Sequence, residues 1–144
     1  MPKLSGQYIT VTLDDSADAP QDVSQDVNSI DIPDEYGPLD GTGFSDGAVN
    51  SFAGMPDFPV EGVGDFNTDA NSLYLVLKGI KGKGAKTLTV AVGDGAAPTT
   101  GDPEFEGEFW CYKMNIAATP QGKVVINFGL KVSGSVAPAW DVVS

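Results

Sequence analysis

Val124-Val125-Ile126-Asn127-Phe128-Gly129-Leu130-Lys131-Val132-Ser133 places an apolar side chain at every second position from Val124 to Val132, with Asn127, Gly129, Lys131 and Ser133 between them. Successive strand residues point to opposite faces, so this segment reads as a strand with one buried and one wet face. Working backwards, Pro120-Gln121-Gly122 is a tight turn, and Glu104 to Ala117 is a long strand. Within it Phe105 and Phe109 share one parity while Trp110, Tyr112, Met114 and Ile116 share the other, which predicts a bulge and an internal Trp110. Lys86 to Val92 alternates again, as do Gln7 to Leu13 and the run Phe58, Val60, Gly62, Gly64, Phe66. Val27, Ile30 and Ile32 mark a further strand stopped at Pro33, and Asp14 to Gln25 reads as a polar turn region. Eighteen glycines and ten prolines in 144 residues supply the turns of a mainly β chain, here expected to be a single domain over 1–144. One helix interrupts the pattern. Leu73, Val76, Leu77 and Ile80 recur at helical spacing, predicting a helix over about 69–79, capped by Asn67 or Thr68 and stopped by Gly79.

Two residue types are missing. The chain has no histidine, and all eight basic residues are lysine. Without histidine there is no Ser-His or Cys-His nucleophile system, and without arginine no bidentate clamp for phosphate or carboxylate. The expectation is a protein that is not an enzyme and uses no cofactor or metal. Cys111 has no partner for an internal disulfide and reads as a small buried core residue. Met1-Pro2-Lys3-Leu4-Ser5-Gly6 lacks an apolar leader core and no apolar run reaches membrane-spanning length, so a soluble, cytoplasmic site of synthesis is expected. The net charge of −12 is unevenly spread: Leu4 to Leu77 holds fourteen acids and no lysine, Lys78 to Ser144 seven lysines and six acids. Such a chain repels nucleic-acid phosphates.

Two motif imitations fail on geometry. Asp65 to Asn71 begins like a calcium loop, but Ala70 stands where glycine is needed and Val76 where the bidentate glutamate belongs. Gly79 to Thr87 resembles a phosphate loop with one residue too many, and it leads from helix to strand instead of the reverse. Its lysines remain of interest: Lys78, Lys81, Lys83 and Lys86 form a basic patch on an acidic protein and are candidate charge contacts between copies. Glu104, Glu106 and Glu108 share one strand face, read either as a solvated surface or as the acidic wall of a channel. Pro33 to Asp57 holds three prolines, five glycines and no clear periodicity, so it reads as a long loop. Its Tyr36, Leu39, Phe44, Phe52 and Met55 are too apolar for a solvated loop and need a surface to cover, on their own domain or on a neighbour.

Three segments together resemble the short major tail tube proteins of long-tailed, non-contractile (siphovirus-like) bacteriophages. These are Thr42-Gly43-Phe44-Ser45-Asp46-Gly47; Gly54 to Gly62 with Phe66 and the helix after it; and the closing strand Gly122 to Val136. The resemblance implies a β-sandwich or barrel-like tail tube fold with one short flanking α-helix, shared with the tube protein of type VI secretion. It implies six-membered rings stacked into a hollow tube through which genomic DNA passes without specific binding, with the long loop reaching an adjacent ring. Tape measure, terminator and distal tail proteins would meet the tube at its ends, and no membrane is involved. The protein would be assembled in the bacterial host cytoplasm and reside in the virion tail, with no appended immunoglobulin-like domain. The acidic segment 14–26 has no counterpart in that pattern.

Two other readings compete. A capsid decoration or head–tail completion protein would also be small, β-rich and acidic, but would form closed oligomers or monomers. A surface- or carbohydrate-binding β-sandwich would need an exposed aromatic platform, and Trp110 and Trp140 are the only tryptophans, the latter in a terminal segment expected to dock on a neighbour.

Overall fold

The computed structural model describes residues 6–45 and 47–144; Lys3 and Asp46, the latter part of the Thr42–Gly47 motif, lie outside the described residues. After a 3-10 turn at Gly6–Tyr8 the chain forms β1 (Ile9–Asp14), β2 (Pro20–Asp22), β3 (Val27–Asp31), β4 (Glu35–Asp40), β5 (Ser51–Asp57) and β6 (Val60–Asp65). Helix α1 (Leu73–Ile80) follows, then β7 (Lys86–Val92), β8 (Pro103–Ala117), β9 (Val125–Val132) and β10 (Ala139–Val142). Eight strands share one sheet in the order β2-β1-β7-β8-β9-β6-β3, with β10 added to β8, while β4 and β5 pair only with each other. All pairings between these strands are antiparallel, and one isolated parallel bridge joins Lys81 to Cys111.

The alternation in the sequence becomes the two faces of this sheet. Val11 and Leu13 of β1, Leu88 and Val90 of β7, Phe105, Phe109 and Cys111 of β8, and Ile126, Phe128 and Leu130 of β9 are all buried in one core. Val60 of β6 joins the same core although β6 and β1 stand four places apart in the sheet, so the sheet curls on itself. The curl is incomplete: β1 and β3 face each other across an open cavity of about 450 Å³ lined by Ile9, Val11, Val27 and Ile30. The architecture is thus the barrel-like form of the expected class. Leu73, Val76, Leu77 and Ile80 of α1 pack into the core as their spacing requires.

Several boundaries differ from the sequence reading, each for a local reason. The helix starts at Leu73, not near 69: Ser72 is the cap, its Oγ accepting from Leu75 N at 3.5 Å and donating to Asn67 O at 2.6 Å. Asn67 instead closes a turn by accepting from Asp69 N at 2.9 Å, and Asp26, 47 residues upstream, accepts from Leu73 N at 3.1 Å. Gly79 does not stop the helix; Gly82 does, at φ +77°, a conformation that costs glycine little, with its N–H bonded to Cys111 O at 3.0 Å. The polar segment 14–25 contains β2, and a further short strand, β10, follows the expected last one. The bulge in β8 falls between Cys111 and Lys113.

Candidate assembly interface

Pro33 to Asp57, expected to be a loop without regular structure, is largely a two-stranded arm. Leu39 pairs with Phe52, Asp40 with Ser51 and Glu35 with Asp57, across a register shift between Tyr36 and Pro38. Its sequence shows no period because neither face is buried against the body, so no position selects for apolar side chains. The arm therefore carries its large apolar groups in water: Tyr36, Leu39, Phe44, Phe52 and Met55 are all exposed, Phe52 at 57% and Phe44 completely, and Val49 joins them. The turn at its end is ordered by its own polar groups. Asp40 accepts from Thr42 N at 2.9 Å, and Thr42 Oγ1 accepts from Asn50 N at 2.8 Å. The Thr42 contacts, backbone first, hold the Asp40 carboxyl below the usual carboxylate range.

The four lysines near α1 divide into two kinds. Lys78, Lys81 and Lys83 are exposed, Lys78 lying 5.9 Å from the Tyr74 ring centroid. Lys86 is buried and bonds to Asp18 at 2.5 Å, so this candidate contact is taken up inside its own chain and is no part of a surface patch. The other two ion pairs among the described residues are also made within the chain, though at its surface: Lys123 to Asp65 at 2.8 Å and Lys113 to Glu61 at 4.0 Å. All three join an acid of the first half to a lysine of the second. The charge division along the sequence is thus partly neutralised within one molecule, leaving Lys78, Lys81, Lys83 and Lys131 outside those pairs.

Glu104, Glu106 and Glu108 lie together on the outward face of β8, as their parity requires. Glu108 accepts from Thr87 Oγ1 at 2.5 Å and Glu106 from Thr89 Oγ1 at 3.5 Å, so the acids stand beside a threonine row of β7. Thr10 and Thr12 of β1 continue that row, and Asp141 of β10 pairs with Glu104. Further along the same face Tyr112 lies flat across Gly129, where a Cβ would come within 2.6 Å of its ring. Its hydroxyl donates to Glu61 at 3.2 Å and the Lys131 ammonium sits 4.8 Å from its ring centroid. Partial burial first, then the Glu61 carboxylate, raise the Tyr112 pKa above its usual value. Trp110 is not internal: it stands on this outward face, 37% exposed, with its ring tilted 63° to Tyr112. Trp140 is paired with Phe105 and its ring lies 5.3 Å from that core side chain, so the two tryptophans belong to opposite faces and make no common platform. Cys111 is buried, and burial raises its thiol pKa, as for an inert core cysteine.

No protein-family model matches the sequence, and no curated protein matches it. Solved structures do. A chain of the SPP1 tail tube superposes with a TM-score of 0.75 at 11% identity, over 97% of this chain and 80% of that one. A chain from the tail of an empty gene transfer agent particle, refined with C6 symmetry, gives 0.66 at 14% identity over 99% and 100%. A chain of the PVC sheath–tube complex, an extracellular contractile injection system, gives 0.67 at 12% identity over 98% and 93%. The fold of this chain, from the curled sheet to helix α1, is that of chains found in the SPP1 tail tube, in a gene transfer agent tail and in an injection-system sheath–tube complex.

Proposed function

We propose that this chain is a structural virion protein whose copies form stacked, six-membered rings and so build the tail tube of a long-tailed phage, the conduit for DNA ejection. The observation that carries this reading is the arm: a body with its own core extends a hairpin whose aromatic and aliphatic groups are half or more exposed and join no core. Exposed apolar surface of this kind marks a contact with another molecule. The fold shared with tube-building chains supports a second copy as that molecule, and the C6 symmetry of one such tail supports six copies per ring.

The outward face bearing Glu104, Glu106, Glu108 and the threonine row faces the channel. Carboxylates there repel DNA phosphates, so the strip that bears them does not hold the duplex while it slides. Lys81 and Lys83 meet acidic groups of a neighbouring copy. Tape measure, terminator and distal tail proteins close the tube at its ends, and the protein carries no catalytic activity. Negative-stain electron microscopy of the purified protein tests the reading directly. Hollow tubes of uniform width are expected. Closed rings without stacking point to a decoration or head–tail completion protein, and persistent monomers at high concentration overturn self-assembly altogether.

A further inference from the structure

The arm has a root as well as a tip, and the root is a cleft. Where β5 rejoins the body, Met55 and Pro56 face the β9–β10 connection, and together with Val132, Val136, Ala137 and Pro138 they line an apolar cleft of about 380 Å³. The opening is large enough for an aromatic side chain. Val136 and Met55 are exposed at its rim, so none of the described residues of the same chain closes it. At the other end of the arm Phe44 is fully exposed on a turn already ordered by Asp40 and Thr42, so holding it out costs little further ordering on contact. The six residues of β4 span about 20 Å at roughly 3.3 Å each, so the tip cannot fold back into its own root.

Charge favours the same pairing. The tip carries the Asp40 carboxylate within a stretch that has no lysine from Leu4 to Leu77. Ser133, which lies in the chain between the lining residues Val132 and Gly134, accepts from Ala85 N at 3.0 Å and so ties the turn after α1, with its exposed Lys83, to the cleft's own segment.

We propose that Phe44, at the tip of the β4–β5 arm, seats in the apolar cleft at the root of the same arm on a second copy, beside that copy's Lys83. This rests on the tube reading above and specifies one of its contacts. Tip and root are different surfaces, so the contact is heterologous: each copy offers one of each, and the contact links copy to copy, around a ring or from ring to ring, instead of pairing two copies and stopping.

Site-directed cross-linking tests it. In the full-length chain, Ser45→Cys with Ala137→Cys leaves Phe44 in place, and buried Cys111 stays silent. Assembled material treated with a short bismaleimide should give a ladder of covalent dimers, trimers and longer species on a denaturing gel. The control pair Ser45→Cys with Thr119→Cys should stay monomeric. Phe44→Ala should raise the critical concentration for assembly about tenfold or more. Ala137→Trp, which fills the cleft, should block assembly while leaving the unfolding midpoint of the monomer in place. Tubes that form but give no ladder, a ladder equal to that of the control pair, or normal tubes from Ala137→Trp would overturn this contact and leave the tube reading standing. Cross-linking only to a different protein added to the mixture would assign the cleft to that partner and overturn it too. Failure of the wild-type protein to make tubes removes the tube reading itself, and this contact with it.

Discussion

The body and the arm of this molecule are built from the same kind of antiparallel pairing and differ in what lies on their faces. In the body, Phe105, Phe109, Leu88 and Ile126 are fully buried beneath a helix whose apolar stripe completes the core. In the arm, β4 and β5 satisfy each other's backbone groups, yet Phe52, Leu39 and Met55 remain in water. A ladder of backbone hydrogen bonds defines a shape but contributes little net stability, because water offers the same bonds to the unfolded chain. Burial of apolar surface supplies the stability, and a lone two-stranded hairpin is marginal without it. The body is therefore finished as a monomer. The arm has no such core of its own, and the proposed contact with a neighbouring copy would bury the apolar groups that it leaves exposed.

The sharpest way to break this comparison is one substitution in each region. Phe105→Ala removes a ring packed against Phe58, Phe109 and Trp140, and should cost the monomer about 3–5 kcal/mol in denaturant unfolding. Phe52→Ala should change monomer stability by less than about 0.5 kcal/mol, yet weaken assembly measured by sedimentation. Equal costs in the monomer would mean that the arm packs on its own body.

A smaller contrast separates the lysines. Lys86→Glu places a carboxylate in a buried position opposite Asp18 and should destabilise the monomer by roughly 1–3 kcal/mol. The double change Lys81→Glu, Lys83→Glu, on exposed positions, should leave the unfolding curve within about 0.5 kcal/mol of the parent and suppress polymerisation. Normal tubes from that double variant would show that those two lysines do not meet a neighbour's acids.

The smallest effect is that of pH. Asp15 and Asp65 in the body and Asp40 in the arm all have carboxyls held below the ordinary 3.8, Asp15 mainly by the Ala19 and Ala17 amides, Asp65 by Lys123 and Asn28, Asp40 by Thr42. These groups bind protons less readily folded than unfolded, so the stability they contribute is complete above about pH 4 and is lost as the pH falls through their lower folded values. The amide signals of Ala19 in the body and Thr42 in the arm should titrate with midpoints below 3.8 in a nuclear magnetic resonance pH series. A Thr42 midpoint at or above 3.8, with Ala19 below it, would show that the arm tip is not held by Asp40 in the free monomer.

Much of the body could be read from local pattern. Alternation placed Val60 to Asp65 and Val125 to Val132 in strands with the right faces inward, it marked Lys86 to Val92 as a strand without showing that Lys86 lies on its buried face, and the spacing of Leu73, Val76, Leu77 and Ile80 placed the helix. These succeed for one reason: where a single face is buried, the period of the backbone is written into the positions of the apolar side chains. The bulge in β8 was legible for the same reason, as a change of parity, but the inward assignment of Trp110 failed because the change comes after Cys111, one residue beyond it. Helix ends were misplaced because Asn67, Thr68 and Ser72 are equally good caps in isolation. The selection of Ser72 involves Asp26, whose carboxylate reaches Leu73 from 47 residues away.

Composition and periodicity by themselves determined that this is a mainly β chain with one helix, a buried Cys111 and an acidic first half, since each of those is a property of neighbouring residues or of totals. The pairing of β4 with β5, the addition of β10 to β8, the capture of Lys86 by Asp18 and the cleft at the arm's root were decided only in three dimensions. Each brings together groups that are distant in the chain or that lack a buried face. An exposed hairpin leaves no apolar period, and a charge does not reveal from its own position which opposite charge the fold will bring beside it.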